Sequence, residues 1–340
     1  MNKLFKSYAF NISLIIGLSI FVLWLSLKND YQQMIELLTN INRSYLLLIL
    51  FMSLLVQLLT GLILTKLIRK SNSKYSYFNG IICGFVGSFF SGITPSSTGG
   101  QMAQVYVLKK QKVDYHKSIS VLWMDFIIYQ CVLCVFVCLL FILRFSYFFN
   151  NYSQFFLVAL LGFLVNVTII VALWLFVKYP KMYQWISFKI IHLGFRLRIV
   201  KDVHKTYNKL EGLLTQLVLQ IKCFNGEYKL VIECVCLHLL RLLVYYMIPL
   251  LCFMAIGIEI DFTVAIDCIA LASFVSMMNA FIPIPGASGG TEVTYVLMFA
   301  TIFGTINAKS TMLIWRFVTY YLVLMIGALA FLWIKLHKGD

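Results

Sequence analysis

Charge is what this 340-residue sequence has least of: Asp, Glu, Lys and Arg make up 12% of it, against 61% hydrophobic residues and a mean hydropathy of +0.89. A soluble globular domain carries roughly a quarter charged residues, so that class is excluded and lipid is the expected solvent. Acidic residues are scarcer still, 13 against 28 Lys and Arg, for a net charge of +15. In a soluble protein that balance would suggest nucleic acid. Here the positive residues sit beside apolar runs, where they set orientation and meet anionic headgroups, so no nucleic acid partner is expected. The nine cysteines form no disulfide or metal framework. Cys131, Cys134 and Cys138 share roughly one helical face and read as small packing residues, and neither metal nor cofactor is expected. Nucleophile elbow, P-loop, HExxH and dinucleotide fingerprint are all missing, and no catalytic residue is assigned. No small-residue cleavage site follows the apolar run Tyr8–Leu27, which reads as an uncleaved signal anchor behind Lys3 and Lys6.

What the sequence does have is long apolar runs. Six are long enough to span a bilayer: Tyr8–Leu27, Tyr45–Leu67, Ser118–Leu143, Phe155–Val177, Leu230–Ile256 and Thr311–Ile334. Two further stretches are broken by Pro/Gly clusters. Phe78–Ile93 and Gln101–Leu108 flank Thr94 to Gly100; Thr263–Ile282 and Thr291–Phe303 flank Pro283 to Gly290. Each pair has a leg too short to cross, so each is expected to dip in and return as a re-entrant hairpin. With the N-terminus inside, the outer side then holds only Lys28, Arg43, Arg144 and Lys309, while Arg241 and Arg316 fall within spans. Every other Lys and Arg is cytoplasmic, which supports this topology and puts both termini on the cytoplasmic side of the cell membrane.

The expected fold is therefore an all-α integral membrane protein, one membrane domain over 1–340, with about six transmembrane helices and two broken-helix hairpins. Pro95-Ser96-Ser97-Thr98-Gly99-Gly100 and Pro285-Gly286-Ala287-Ser288-Gly289-Gly290 share the pattern P-x-x-[ST]-G-G. They sit in equivalent, oppositely oriented positions of repeat A (about 45–143) and repeat B (about 230–334), an inverted repeat with interrupted helices of the kind that flanks a transporter site. The segment 178–229 reads as a cytoplasmic amphipathic linker. Its apolar stripe packs on the membrane domain, lies on anionic headgroups, or forms a contact between copies in a homo-oligomer.

Backbone without helical hydrogen bonds is tolerated at membrane depth only in protein or beside a wet cavity. In each hairpin the leg after Gly-Gly starts a helix with free N–H groups, a ready anion site at Thr98, Gly99, Gly100 and Gln101 and again at Ser288, Gly289 and Gly290. A phospholipid phosphate is the natural anion in a membrane. Arg241 and Arg316 lie in apolar runs, where a charge is costly and either functional or paired. An Arg fork suits phosphate. Glu292 and Asp125 are the candidate counter-charges; Asp267 and Glu233 are weaker candidates, and His238 reads as a polar helix contact. Ion pairs that only fix helix register are the alternative.

With Thr94 to Gln101, Ile284 to Glu292 and Trp315-Arg316-Phe317-Val318-Thr319-Tyr320-Tyr321 in view, nearly the whole chain resembles the lysylphosphatidylglycerol synthase transmembrane family. This is the flippase-like membrane region of the multiple peptide resistance factor. The resemblance implies movement across the bilayer of a membrane phospholipid such as lysyl-phosphatidylglycerol, a lipid linked to antimicrobial peptide resistance. Full-length relatives carry a C-terminal domain that transfers lysine to phosphatidylglycerol. Here the chain ends at Asp340, so that domain is expected to be absent and the chain is not expected to catalyse on its own. The alternative is a component of a phosphatidylglycerol lysyltransferase or lipid-linked glycosyl transferase, acting with a separate transferase as partner. Many relatives carry an acidic residue after the first Gly motif and a basic one shortly afterwards, where Gln101 and Gln104 stand here.

Overall fold

The computed structural model describes residues 31–145 and 226–337, apart from 280, 281 and 283, with isolated positions between those two parts. The expected spans Tyr8–Leu27 and Phe155–Val177, and most of the 178–229 linker, lie outside the described residues.

The elements described are ten α-helices, two 3₁₀ turns and a π turn, and no strand occurs among the described residues. A short α1 (Tyr31–Thr39) precedes α2 (Arg43–Arg69), α3 (Tyr77–Ile93), a 3₁₀ turn at Pro95–Ser97, α4 (Gly99–Lys110) and α5 (Tyr115–Leu143). The second half runs α6 (Tyr228–Ala255), α7 (Phe262–Asn279), a 3₁₀ turn at Pro285–Ala287, α8 (Gly290–Phe303), α9 (Thr305–Arg316), a π turn at Phe317–Tyr321 and α10 (Leu322–His337). Long helix, helix, proline turn, short helix, long helix thus occurs twice.

Local chemistry sets the boundaries. The side chain of Asn42 accepts from Ser44 N–H at 3.0 Å to start α2, and Asp114 accepts from His116 and Lys117 to start α5. Pro95 and Pro285 each open a 3₁₀ turn, because a proline lacks the N–H that would continue the preceding helix. Among the described residues four helices are long and apolar enough to cross a membrane: Arg43–Arg69, Tyr115–Leu143, Tyr228–Ala255 and the continuous Thr305–His337. The last is longer than the run Thr311–Ile334, because α9 starts directly after Gly304. Lys309, read from the sequence as a loop residue, therefore sits inside a helix. The short legs have 12 residues in α4 and 14 in α8. At 1.5 Å per residue they reach roughly 18 and 21 Å, short of the ~30 Å hydrocarbon core.

Helices α2 and α6 form the centre and run antiparallel, joined at both ends. At one end Asn42 N–H donates to Ala255 C=O at 2.9 Å; at the other Lys66 pairs with Glu233 at 2.6 Å and Lys70 with Glu227 at 3.3 Å. Helix α3 lies against α2 through glycines. A Cβ on Gly80 would stand 2.0 Å from Thr65 Oγ1 and one on Gly61 2.5 Å from Ile81 Cα, so only hydrogen atoms fit between these backbones. On its other side α3 meets α10, with Phe90 edge-on to Phe331 and Phe78 to Trp333. The two proline turns, one from each half, pack against one another, and the second also rests on α3.

Candidate functional site

The second turn is the more sharply bent. Gly286 (φ 61°), Ala287 (φ 49°) and Gly289 (φ 89°) all take left-handed conformations. Ala287 is held there by its N–H donating to Ile284 C=O at 2.9 Å and by Thr291 Oγ1 donating to its carbonyl at 3.0 Å. At Gly286 a side chain is excluded twice, by φ and by Tyr320, whose hydroxyl would lie 1.9 Å from the added Cβ. Gly289 caps the start of α8, and the carboxylate of Glu292 turns back so that Oε2 accepts Gly289 N–H at 2.7 Å. This helix start is therefore already met by an anion of the chain's own.

Arg316, the last residue of α9, closes the cluster. Its Nη2 donates to Gly286 C=O at 2.8 Å and to Ser288 Oγ at 3.3 Å. Its Nε lies 2.9 Å from Glu292 Oε1 as an ion pair, without the alignment of a hydrogen bond. The guanidinium lies 3.9 Å from the ring centre of Tyr320, and the Tyr320 hydroxyl donates to Gly92 C=O in α3 at 3.0 Å. Both charged side chains are buried, at 8% and 3% exposure. The π turn that follows Arg316 brings Tyr320 beneath it, and the extra residue disturbs the helical ladder. Ser53 of α2 donates to Val318 C=O in that turn at 2.6 Å.

The first turn is built differently. Thr94 Oγ1 donates to Phe90 C=O at 2.7 Å and accepts Gly99 N–H at 2.8 Å, so Thr94 and not Thr98 meets the start of α4. Thr98 is exposed and donates to Pro95 C=O, Gly100 is buried against Ser91 and Gly87, and Gln101 is exposed.

Arg241 belongs to a second group, midway along α6. Its Nη1 donates to Thr60 Oγ1 at 3.2 Å, and its guanidinium lies 4.6 Å from the ring centre of Tyr129. It borders a cavity of about 260 Å³ lined by Val56, Tyr129, Leu242, Tyr245, Tyr246 and Ser276. Asp125 pairs with His238, Nε2 to Oδ1 3.2 Å, rather than with either arginine. Near the bundle end Asp267 takes a bidentate pair from Arg144, at 2.5 and 2.6 Å. Among the described residues no group of three or more His, Cys, Asp or Glu is placed to hold a metal.

The structure thus brings Ser288, Gly289, Gly290, Glu292 and Arg316 together, sets the first turn against the second, and puts Arg241 in a separate cavity. Tyr320, Thr94 and the tyrosines around Arg241 were missed in the sequence. Tyr320 and Thr94 stand inside the quoted motifs, and that was their signal; Tyr129, Tyr245 and Tyr246 are lost among 16% aromatic residues.

Apolar crossing helices, proline-broken hairpins meeting tip to tip and a buried Arg–Glu pair at their junction define an all-α polytopic membrane protein with a polar site inside it. A model of the lysylphosphatidylglycerol synthase TM region matches residues 11–327, and the chain belongs to that family. No curated protein matches it.

Proposed function

We propose that this protein moves an anionic or aminoacylated phospholipid, such as lysyl-phosphatidylglycerol, between the leaflets of the cell membrane. The observation that carries the proposal is the buried Arg316–Glu292 pair locked onto one interrupted hairpin where it meets the other. Charges among apolar helices are costly, and where they are kept they are paired and mark functional regions, here the junction of the two hairpins. Antiparallel α2 and α6 support an inverted relation between the two halves, so that each hairpin enters from its own face of the membrane. On this reading the termini are cytoplasmic and the partner is membrane phospholipid. A homo-oligomer through the 178–229 segment is compatible with it.

The test is reconstitution of the purified chain in liposomes and measurement of transbilayer movement of labelled lysyl-phosphatidylglycerol and phosphatidylglycerol. Movement well above that of empty liposomes is expected, with loss in Arg316→Ala. Movement no faster than in empty liposomes for both lipids would discard the assignment. The family's description as a synthase region favours a second reading, a membrane component that serves a separately encoded lipid transferase. Deleting the gene separates the two: a change in lipid species favours the transferase component, a change in sidedness alone favours movement.

A further inference from the structure

We infer that the anion seat of this protein is the cavity beside Arg241, and that it takes the phosphate of a phospholipid headgroup while the Arg316 cluster holds the two hairpins together. The inference deepens the reading above by dividing the two arginines between separate tasks.

Arg316 already has a counter-ion. Its charge is matched by Glu292, its Nη2 by two acceptors of the second turn and its face by Tyr320. The start of α8 is occupied by Glu292 as well. A second anion arriving there would meet a carboxylate.

Arg241 is the opposite case. Among the described residues it makes one hydrogen bond, to a neutral threonine, and no ion pair. The nearby carboxylate of Asp125 is engaged by His238. Tyr129 beneath the guanidinium fixes the plane of the fork, and among the described residues the remaining N–H groups have no protein acceptor. A half-buried, oriented guanidinium with spare donors suits a phosphate oxygen pair.

The rest of the lining fits a headgroup. Tyr129, Tyr245, Tyr246 and Ser276 bring hydroxyls and Val56 and Leu242 an apolar wall. At about 260 Å³ the cavity is below the roughly 300–1,000 Å³ of sites that enclose drug-sized ligands. It can hold a glycerophosphate headgroup, and the acyl chains must stay outside in lipid. Four helices meet around it, α2, α5, α6 and α7, with Tyr245 reaching Thr319 in the π turn, so an occupant would touch both halves of the chain.

The experiment is equilibrium binding to the full chain in a maltoside detergent, which carries no phosphate. The probes are dihexanoyl-phosphatidylglycerol, dihexanoylglycerol, glycerol phosphate and inorganic phosphate. The short-chain phospholipid should bind and the phosphate-free dihexanoylglycerol should not. Arg241→Gln should weaken binding about 10- to 100-fold, as expected for losing a charge-assisted hydrogen bond. Arg241→Lys, which keeps charge and loses the fork, should fall between. Val56→Phe narrows the cavity without touching charge and should also weaken binding, with thermal melts of all variants confirming an intact fold. Binding unchanged in a folded Arg241→Gln would overturn the inference, as would equal binding of dihexanoylglycerol. Inorganic phosphate or glycerol phosphate binding as tightly as the phospholipid would overturn the lipid assignment. Lipid movement is a separate measurement, so a confirmed seat in a protein that moves no lipid would sink the transport reading and leave this one standing.

Discussion

At the scale of single residues, burial decides what a substitution means. Glu292 and Arg316 neutralise each other where water is excluded, and removing one partner of such a pair costs about 3–5 kcal/mol because the other is left charged and buried. Arg316→Ala alone therefore mixes loss of function with loss of stability. The cleaner variant is Arg316→Gln with Glu292→Gln, which removes both charges together. It should melt closer to the wild type than either single variant, in thermal unfolding followed by circular dichroism. If either single variant melts as high as the wild type, the pair is not a buried structural charge. Gly286→Ala is expected to be worse than its size suggests, since the methyl group must displace the Tyr320 hydroxyl at a left-handed position. A loss of about 2 kcal/mol or more is expected, read as a lowered melting temperature. These residue-scale contacts were partly legible: Arg316 and Glu292 stood out as charges in apolar sequence. Their pairing did not, because the sequence places no fold between positions 292 and 316. Asp125 shows the limit, taking His238 across the helices where a linear reading offered it to an arginine.

At the scale of elements, hydropathy and proline recovered the helices well. The runs beginning at Tyr45, Ser118 and Leu230 all match helices that extend by only two or three residues at their starts, where Asn42 and Asp114 supply caps for the first two. The π turn at Phe317–Tyr321 was not legible, since an extra residue in a helix leaves no mark on an apolar pattern. Nor was the Thr94 cap, because the serine and threonine that follow look equally able. Thr94→Val should fray the start of α4, whereas Thr98→Val should leave it unchanged. Amide exchange in detergent at Gly99 and Gly100 distinguishes them, and equal protection in both variants would show that Thr94 does not carry the start. Helix α5 is tied to α7 by the Arg144–Asp267 fork. Asp267→Asn is expected to loosen that contact by about 1–3 kcal/mol of melting stability, since a buried charge-assisted bond is lost.

At the scale of the whole molecule, the apolar fraction fixed the solvent and the repeated P-x-x-[ST]-G-G pattern exposed the duplicated order of elements. The meeting of the two proline turns and the antiparallel α2–α6 centre are contacts between distant segments, and they emerge only on packing. The cavity around Arg241 is likewise assembled from four helices, so no single stretch of sequence announces it. The contact of Gly286 with Tyr320 also ties two positions of the second half together in descent. As long as the tyrosine stays, position 286 cannot drift away from glycine, and a bulkier residue there could be inherited only after position 320 had first become smaller. The two sites, far apart along the chain and close in the fold, are therefore expected to vary together across lineages or not at all.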